Sequence, residues 1–201
     1  MSRFQKTIIL LIIIIIGLLG YMIYLTGNSD NFISPIENMF KTPLSPNDVV
    51  IKELNDLKLE VNYNRPSKRG RVIFGGLVEN DKVWRTGANE ATTFTTNKNL
   101  IIDSVLVPKG KYTLWTVPND TLWKVMINKK QYKWGVNEKL EPMWDPNFDV
   151  VEMQVPVINL DQVVEKFTID FVNTYGELKL TMVWDTTKIE IPIQHQNVPN
   201  E

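Results

Sequence analysis

Thr7 to Ser29 carries no charged side chain, and within it Ile8 to Leu25 is broken only by Gly17, Gly20, Tyr21 and Tyr24. This constrains the chain more than any other feature, because a helix that is apolar on every face needs a cover of protein or lipid. At roughly 1.5 Å per residue such a stretch reaches across a hydrocarbon core of about 30 Å, so it predicts a transmembrane helix over residues 7–29. Arg3 and Lys6 precede it and Asp30 follows. That bias holds residues 1–6 in the cytoplasm and sends everything downstream outward, with Tyr21 and Tyr24 suited to the outer interface. A cleaved signal peptide is the competing reading, but its apolar part is shorter and ends in small residues. Here the run is long and ends Tyr-Met-Ile-Tyr-Leu-Thr-Gly-Asn, which favours an uncleaved anchor. The expected location is the inner (cytoplasmic) membrane, single-pass, with residues 8–25 in the bilayer and the C-terminal domain in the periplasm.

Charge is balanced, 22 basic against 23 acidic side chains. No overall cationic field exists to neutralise phosphates, so no nucleic-acid partner is expected. The chain has no Cys and one His, His195. Disulfides, thiolate nucleophiles, lipoprotein processing and zinc sites built on His are thereby removed. What remains is carboxylate, Lys, Tyr or Arg chemistry, and no cofactor is expected.

Pro35, Pro43 and Pro46 among Asn and Ser mark residues 30–48 as a spacer. From residue 49 to 195 the pattern has a period of two. Leu57, Leu59, Val61 and Tyr63 alternate with Lys58, Glu60 and Asn62, as in a half-buried strand. Similar runs recur at Ala91–Thr96, Leu100–Val107, Lys111–Val117, Leu122–Asn128, Val150–Val155, Lys166–Val172, Leu178–Trp184 and Lys188–Ile193, with turn residues between them. Many short strands at this spacing predict one all-β domain, an antiparallel β-sandwich with a jelly-roll-like or barrel-like closure as the alternative. Only Asn47–Leu57 and Leu160–Glu165 invite a helical turn, and residues 196–201 form a polar tail.

Arginine is placed unusually. Apart from Arg3 it occurs only as Arg65, Arg69, Arg71 and Arg85, and every cation further along is Lys. Arg presents a rigid fork of donors suited to carboxylates, phosphates and carbonyls, so its confinement suggests a geometric task. The same stretch reads Val61-Asn-Tyr-Asn-Arg-Pro-Ser-Lys-Arg-Gly-Arg-Val-Ile-Phe-Gly-Gly-Leu-Val78, followed by Val83-Trp-Arg-Thr-Gly-Ala-Asn-Glu-Ala-Thr92. With Pro108-Lys-Gly-Lys-Tyr-Thr-Leu-Trp-Thr-Val-Pro118, Trp123, Ile127-Asn128, Trp134-Gly135 and the strand at Leu180–Trp184, it resembles the bacterial family known as domain of unknown function 2911. The resemblance covers nearly the whole β domain. It implies an exported β domain in a Gram-negative envelope and brings no activity with it. Its members look like secreted proteins with a signal peptide, from which an uncleaved anchor departs.

The candidate ligand-binding residues are Arg65, Arg69, Arg71, Arg85, Asn89, Glu90, Trp134 and Trp144. The arginines, Asn89 and Glu90 could equally form an internal network, since partly buried ions in loops are normally paired. Gly70 and Gly75 are followed by Gly76-Leu77 and not by Lys-Ser/Thr, so no phosphate-binding P-loop is present. The loop Lys129–Asp149 holds Tyr132, Trp134, Trp144 and Phe148, rings that stack on ligands or close one end of the sandwich. Between Trp134 and Asp170 acidic residues outnumber Lys139 and Lys166, so the arginine segment could meet an acidic partner within its own domain. Asp145, Asn147 and Asp149 open like a calcium loop, but Val150 and Pro156 stand where its Gly and Glu belong. Asn119-Asp120-Thr121 fits a glycosylation sequon. Catalysis would rest on paired carboxylates, with Glu90 plus Asp145 or Asp149 as the candidates. The expectation is a membrane-anchored envelope protein whose outward β-sandwich binds or assembles without catalysing. Alternatives are a glycan- or anion-binding domain and a carboxylate-dependent hydrolase; an envelope protein or a glycan would be the partner.

Overall fold

The structure, a computed structural model, describes residues 3–26 and 44–195. The expected spacer lies outside the described residues up to position 43, as does the tail 196–201. The chain divides into two compact units, Met1–Pro43 and Leu44–Glu201.

The first unit contains helix α1, Arg3–Thr26. Its 24 residues would extend about 36 Å at the usual helical rise. The described side chains of Ile8–Ile16 and Leu18 are all exposed. Side chains at positions 19, 23 and 25 are not among those described, and among the described residues no helix is long and apolar enough to cross a membrane.

The second unit is an antiparallel β-sandwich. Its strands are β1 Asn47–Leu54, β2 Leu57–Asn64, β3 Thr93–Thr96, β4 Leu100–Ile102, β5 Val105–Val107, β6 Gly110–Val117, β7 Leu122–Asn128, β8 Asp149–Pro156, β9 Ile158–Thr174 and β10 Glu177–His195. A six-stranded sheet runs β1-β2-β3-β6-β7-β8 and a four-stranded sheet runs β5-β4-β10-β9. The inward face of β2, Leu57, Leu59, Val61 and Tyr63, is buried as its alternation predicts. It shares one core with Phe167, Ile169, Leu180, Met182 and Trp184 of the second sheet. Tyr63 Oη ties the layers directly, accepting from the Ile169 amide at 3.0 Å.

Both segments expected to turn helically are strands. Asn47–Leu54 pairs residue for residue with β2, from Asn47 opposite Asn64 to Leu54 opposite Leu57. The two residues left between them, Asn55 and Asp56, form the hairpin turn, with Asn55 at φ 54°. Leu160–Glu165 lies inside β9, where β10 supplies partners such as Asp185 for Val164. Leu160 and Val164 are half-buried and the side chains between them exposed, a spacing that also suits a helical face, and the neighbouring backbone decides the conformation. Leu100–Val107 is a hairpin, split by Asp103 and Ser104, both at positive φ as a type I′ turn requires. Conversely, Leu178–Trp184 and Lys188–Ile193 are one strand, bent by irregularities around Asp185, which has φ 56°.

A second, smaller cluster lies apart from the inter-sheet core. Ala91, Trp115, Met126 and Tyr132 are buried in it, and Val83, Val117 and Trp144 pack against them. Residues from the 83–92 segment and the 129–148 loop thus pack with side chains of β6 and β7, and this brings the two loops together.

Candidate functional site

Three loop segments frame a cleft. The first is a tight turn in which the amides of Leu77 and Val78 donate to the carbonyls of Val72 and Ile73 at 3.0 and 2.9 Å. Gly76 is required there, because a Cβ would come within 2.6 Å of the Val72 carbonyl oxygen. The second is the stretch after Val83. Trp84 exchanges backbone bonds with Thr116 of β6, and its indole N–H donates to Gly87 O at 3.0 Å. The third is a small hairpin in which Val136 bridges Pro142 and the Met143 amide donates to Gly135 O. Its Leu140 has φ 64° and is 75 % exposed.

The inner part of the cleft, about 340 Å³, is lined by Pro66, Leu77, Val78, Val83, Trp84, Arg85, Gly87, Ala88, Val136, Leu140, Pro142 and Trp184. Arg85 is its one charged lining residue. The outer part adds Trp144 and the balanced charges of Glu79, Lys82, Lys139 and Glu141. Below it lies an aromatic cluster. Trp84 stacks on Trp184 at 6.1 Å and 21°, and Phe74 meets Trp123 edge-on at 4.8 Å.

The arginines have separate tasks. Arg65 is a tie between strands: its Nη1 meets Asp48 Oδ2 at 3.1 Å, its Nη2 donates to Thr168 Oγ1 at 2.8 Å, and its Nε donates to Phe167 O. Arg71 folds back on its own loop, donating to the carbonyls of Ser67 and Lys68. Arg69 is exposed, and its backbone amide donates to Glu165. Lys68 pairs with Asp185 at the bend of β10. Arg85 alone among the four faces the cleft. Burial pushes its guanidinium below the ordinary value, and the neighbouring charge of Glu90 pulls it back up. No hydrogen bond or ion pair of that guanidinium exists among the described residues.

Asn89 and Glu90 make their bonds elsewhere. The Glu90 carboxylate accepts from Asn64 Nδ2 at 2.9 Å, and Asn89 donates to Ser45 O and Asn64 Oδ1. Glu90 therefore acts on Arg85 through space. Trp134 is 46 % exposed and does not line the cleft. Trp144 lines the outer part, with its indole N–H donating to the Asp149 carboxylate at 3.1 Å.

The calcium-like segment is a capped turn. Asp145 accepts from the amide of Asn147 at the start of a short 3₁₀ helix, Pro146–Phe148, and meets Lys130 at 3.6 Å. Asp149 is engaged by Asn128 and Trp144, and burial raises its pKa while those two bonds lower it. Among the described residues no group of three or more acidic or His side chains is arranged to hold a metal.

Of the cleft residues, Val136, Leu140 and Pro142 lie outside every family-like motif, and Leu77, Val83 and Ala88 fall within the family-like stretch without standing out by residue type. The only available clue was the excess of apolar side chains in segments otherwise rich in turn residues. Comparison with curated proteins and with solved structures gave no match. Residues 45–193, which contain all three cleft segments and all of both sheets but the last two residues of β10, match the family described as Protein of unknown function (DUF2911), and the chain belongs to that family.

Proposed function

We propose that the chain is a binding protein held at a membrane by residues 8–25, with its ligand site in the cleft between the 72–78 turn and the 135–143 hairpin. The observation that carries the binding reading is the cleft's make-up. It is a concave, mainly apolar site with a single inward-facing ion, the usual form of a small-molecule site. Leu77 and Leu140 keep about half or more of their surface exposed beside it, an apolar rim without cover in the isolated domain. Support for the anchor comes from the sequence, whose uncharged run Thr7–Ser29 follows Arg3 and Lys6 and precedes Asp30. A non-catalytic role fits the carboxylates best, because Glu90, Asp145 and Asp149 each hold a structural hydrogen bond.

The test uses the full chain in lipid nanodiscs, with empty nanodiscs as blank. A neutral apolar fluorophore, N-phenyl-1-naphthylamine, should show saturable energy transfer from tryptophan. The double substitution Ala88→Leu with Val136→Phe, which fills the cleft, should abolish it. Equal binding by the filled variant would remove the cleft from consideration. The anchor is tested separately: the chain should stay with membranes through alkaline carbonate washing, and Ile12→Asp with Ile15→Asp should release it.

A further inference from the structure

We propose that the ligand of this cleft is a small apolar carboxylate, its hydrocarbon or aryl body against the cleft wall and its charge received by Arg85. The inference rests on the cleft reading above and names the chemistry that the cleft selects.

The first argument is the state of Arg85. Of the other cations in the 65–71 stretch, Arg65 is occupied by Asp48, Thr168 and a carbonyl, Arg71 by two carbonyls and Lys68 by Asp185, while Arg69 is exposed to water and has no burial to offset. Arg85 is half-buried among apolar walls with its donors unengaged by described residues. A partly desolvated ion without a partner is unfavourable, and an arriving anion removes that cost. Within the fold, Glu90 attracts Arg85 only through space, with one oxygen of its carboxylate accepting from Asn64.

The second argument selects the anion. A guanidinium presents parallel N–H donors that match the two oxygens of a carboxylate. One Arg neutralises one charge, and the inner lining supplies no Lys or second Arg to balance a phosphate dianion. The rim does not discriminate, since Glu79 and Glu141 offset Lys82 and Lys139. Charge selection therefore falls to the interior.

The third argument sets the body of the ligand. Leu77, Val78, Val83 and Pro142 make an aliphatic wall, with Trp84 and Trp184 beside it. Such walls offer nothing to the hydroxyls of a sugar, which they would leave unpaired.

The experiment is calorimetric titration of the full chain in nanodiscs, with empty nanodiscs as blank. The probes are 3-phenylpropionate and hexanoate, their neutral counterparts 3-phenylpropanol and hexanol, and acetate as a carboxylate without a body. The acids should bind about tenfold or more tighter than the alcohols, the usual worth of a charge-assisted hydrogen bond, and acetate should bind too weakly to measure. Arg85→Ala should bring the acids down to the alcohols, and Arg85→Lys should keep part of the difference. Both variants are first checked for an unchanged urea midpoint. If only Arg85→Lys passes, a loss of preference smaller than twofold in it overturns the assignment. Acids and alcohols binding alike would overturn the carboxylate inference while leaving the cleft reading intact. Acids that bind the cleft-filled variant as well as the wild type would overturn it too. Should acids, alcohols and N-phenyl-1-naphthylamine all fail to bind, the cleft reading itself falls.

Discussion

Gly135 anchors the hairpin that overhangs Arg85, and Gly135→Ala tests whether its contacts hold the cleft together. Its φ is +81°, and a Cβ built there lies 3.2 Å from Ala91 Cβ, 3.3 Å from Arg85 Cβ and 3.3 Å from Trp115 Cη2. Two costs add. Placing a side chain in the left-handed region costs about 1–2 kcal/mol. Crowding a packed site costs about 1–3 kcal/mol, and here Trp115 and Ala91 are buried and cannot yield easily. The expected destabilisation is thus about 2–5 kcal/mol, or roughly 4–20 °C in melting temperature for a domain of this size. Gly176→Ala is the matched control, because Gly176 has φ +86° but open space around it. It should lose only the conformational part, about 1–2 kcal/mol. Urea unfolding of the full chain followed by tryptophan emission reads the β domain alone, since all 6 Trp lie between positions 84 and 184. Equal losses in the two variants would refute the packing argument, and the hairpin would then owe its position to something other than Gly135.

Arg65→Ala removes three contacts that tie β1 and β2 to β9, and with the pair's side chains 28 % and 36 % exposed the expected loss is about 2–4 kcal/mol. Arg65→Lys should recover little of it, because an ammonium cannot span the three acceptors; a lysine variant with the wild-type urea midpoint would contradict this geometry. Glu190 is held below its ordinary value of 4.5 by hydrogen bonds from Lys188 and Lys179. A depressed carboxyl binds fewer protons folded than unfolded, so its contribution is complete above 4.5 and lost as pH falls through the lower folded value. Urea midpoints measured down to pH 3 should therefore fall less steeply with acid in Glu190→Gln than in the wild type, and parallel curves would show that the pair of lysines does no such work.

The strand with the cleanest alternation was the most legible. β2 lies where the period of two puts it, because burying one face of a pleated strand leaves one register. β1 was not legible, since its exposed positions include Val49 and Ile51 and its period therefore gives no consistent face. The Asn55-Asp56 pair was the available hairpin signal. Leu160–Glu165 was misread for a different reason, as its two half-buried residues, Leu160 and Val164, are four apart and the pairing with β10 is what holds it extended. Among the candidate site residues, the arginine segment stood out by type. That Arg65 is tied up while Arg85 faces the cleft was invisible, because Asp48 comes from the neighbouring strand and Thr168 and Phe167 from the other sheet, some 17 to 103 positions away.

The sequence by itself determined that the chain carries one long uncharged apolar stretch, that the remainder is an antiparallel β domain, and that thiol, disulfide and His-based zinc chemistry is closed to it. These are consequences of local period and residue inventory, which each segment expresses without reference to the others. Only the tertiary structure decided where a ligand could sit. The cleft is made by three loops distant in sequence, and Arg85 faces it because pairing β6 with the Trp84 segment brings the 135–143 hairpin alongside. Such a site depends on which donors are already satisfied elsewhere in the fold, and that accounting exists only once the sheets have packed.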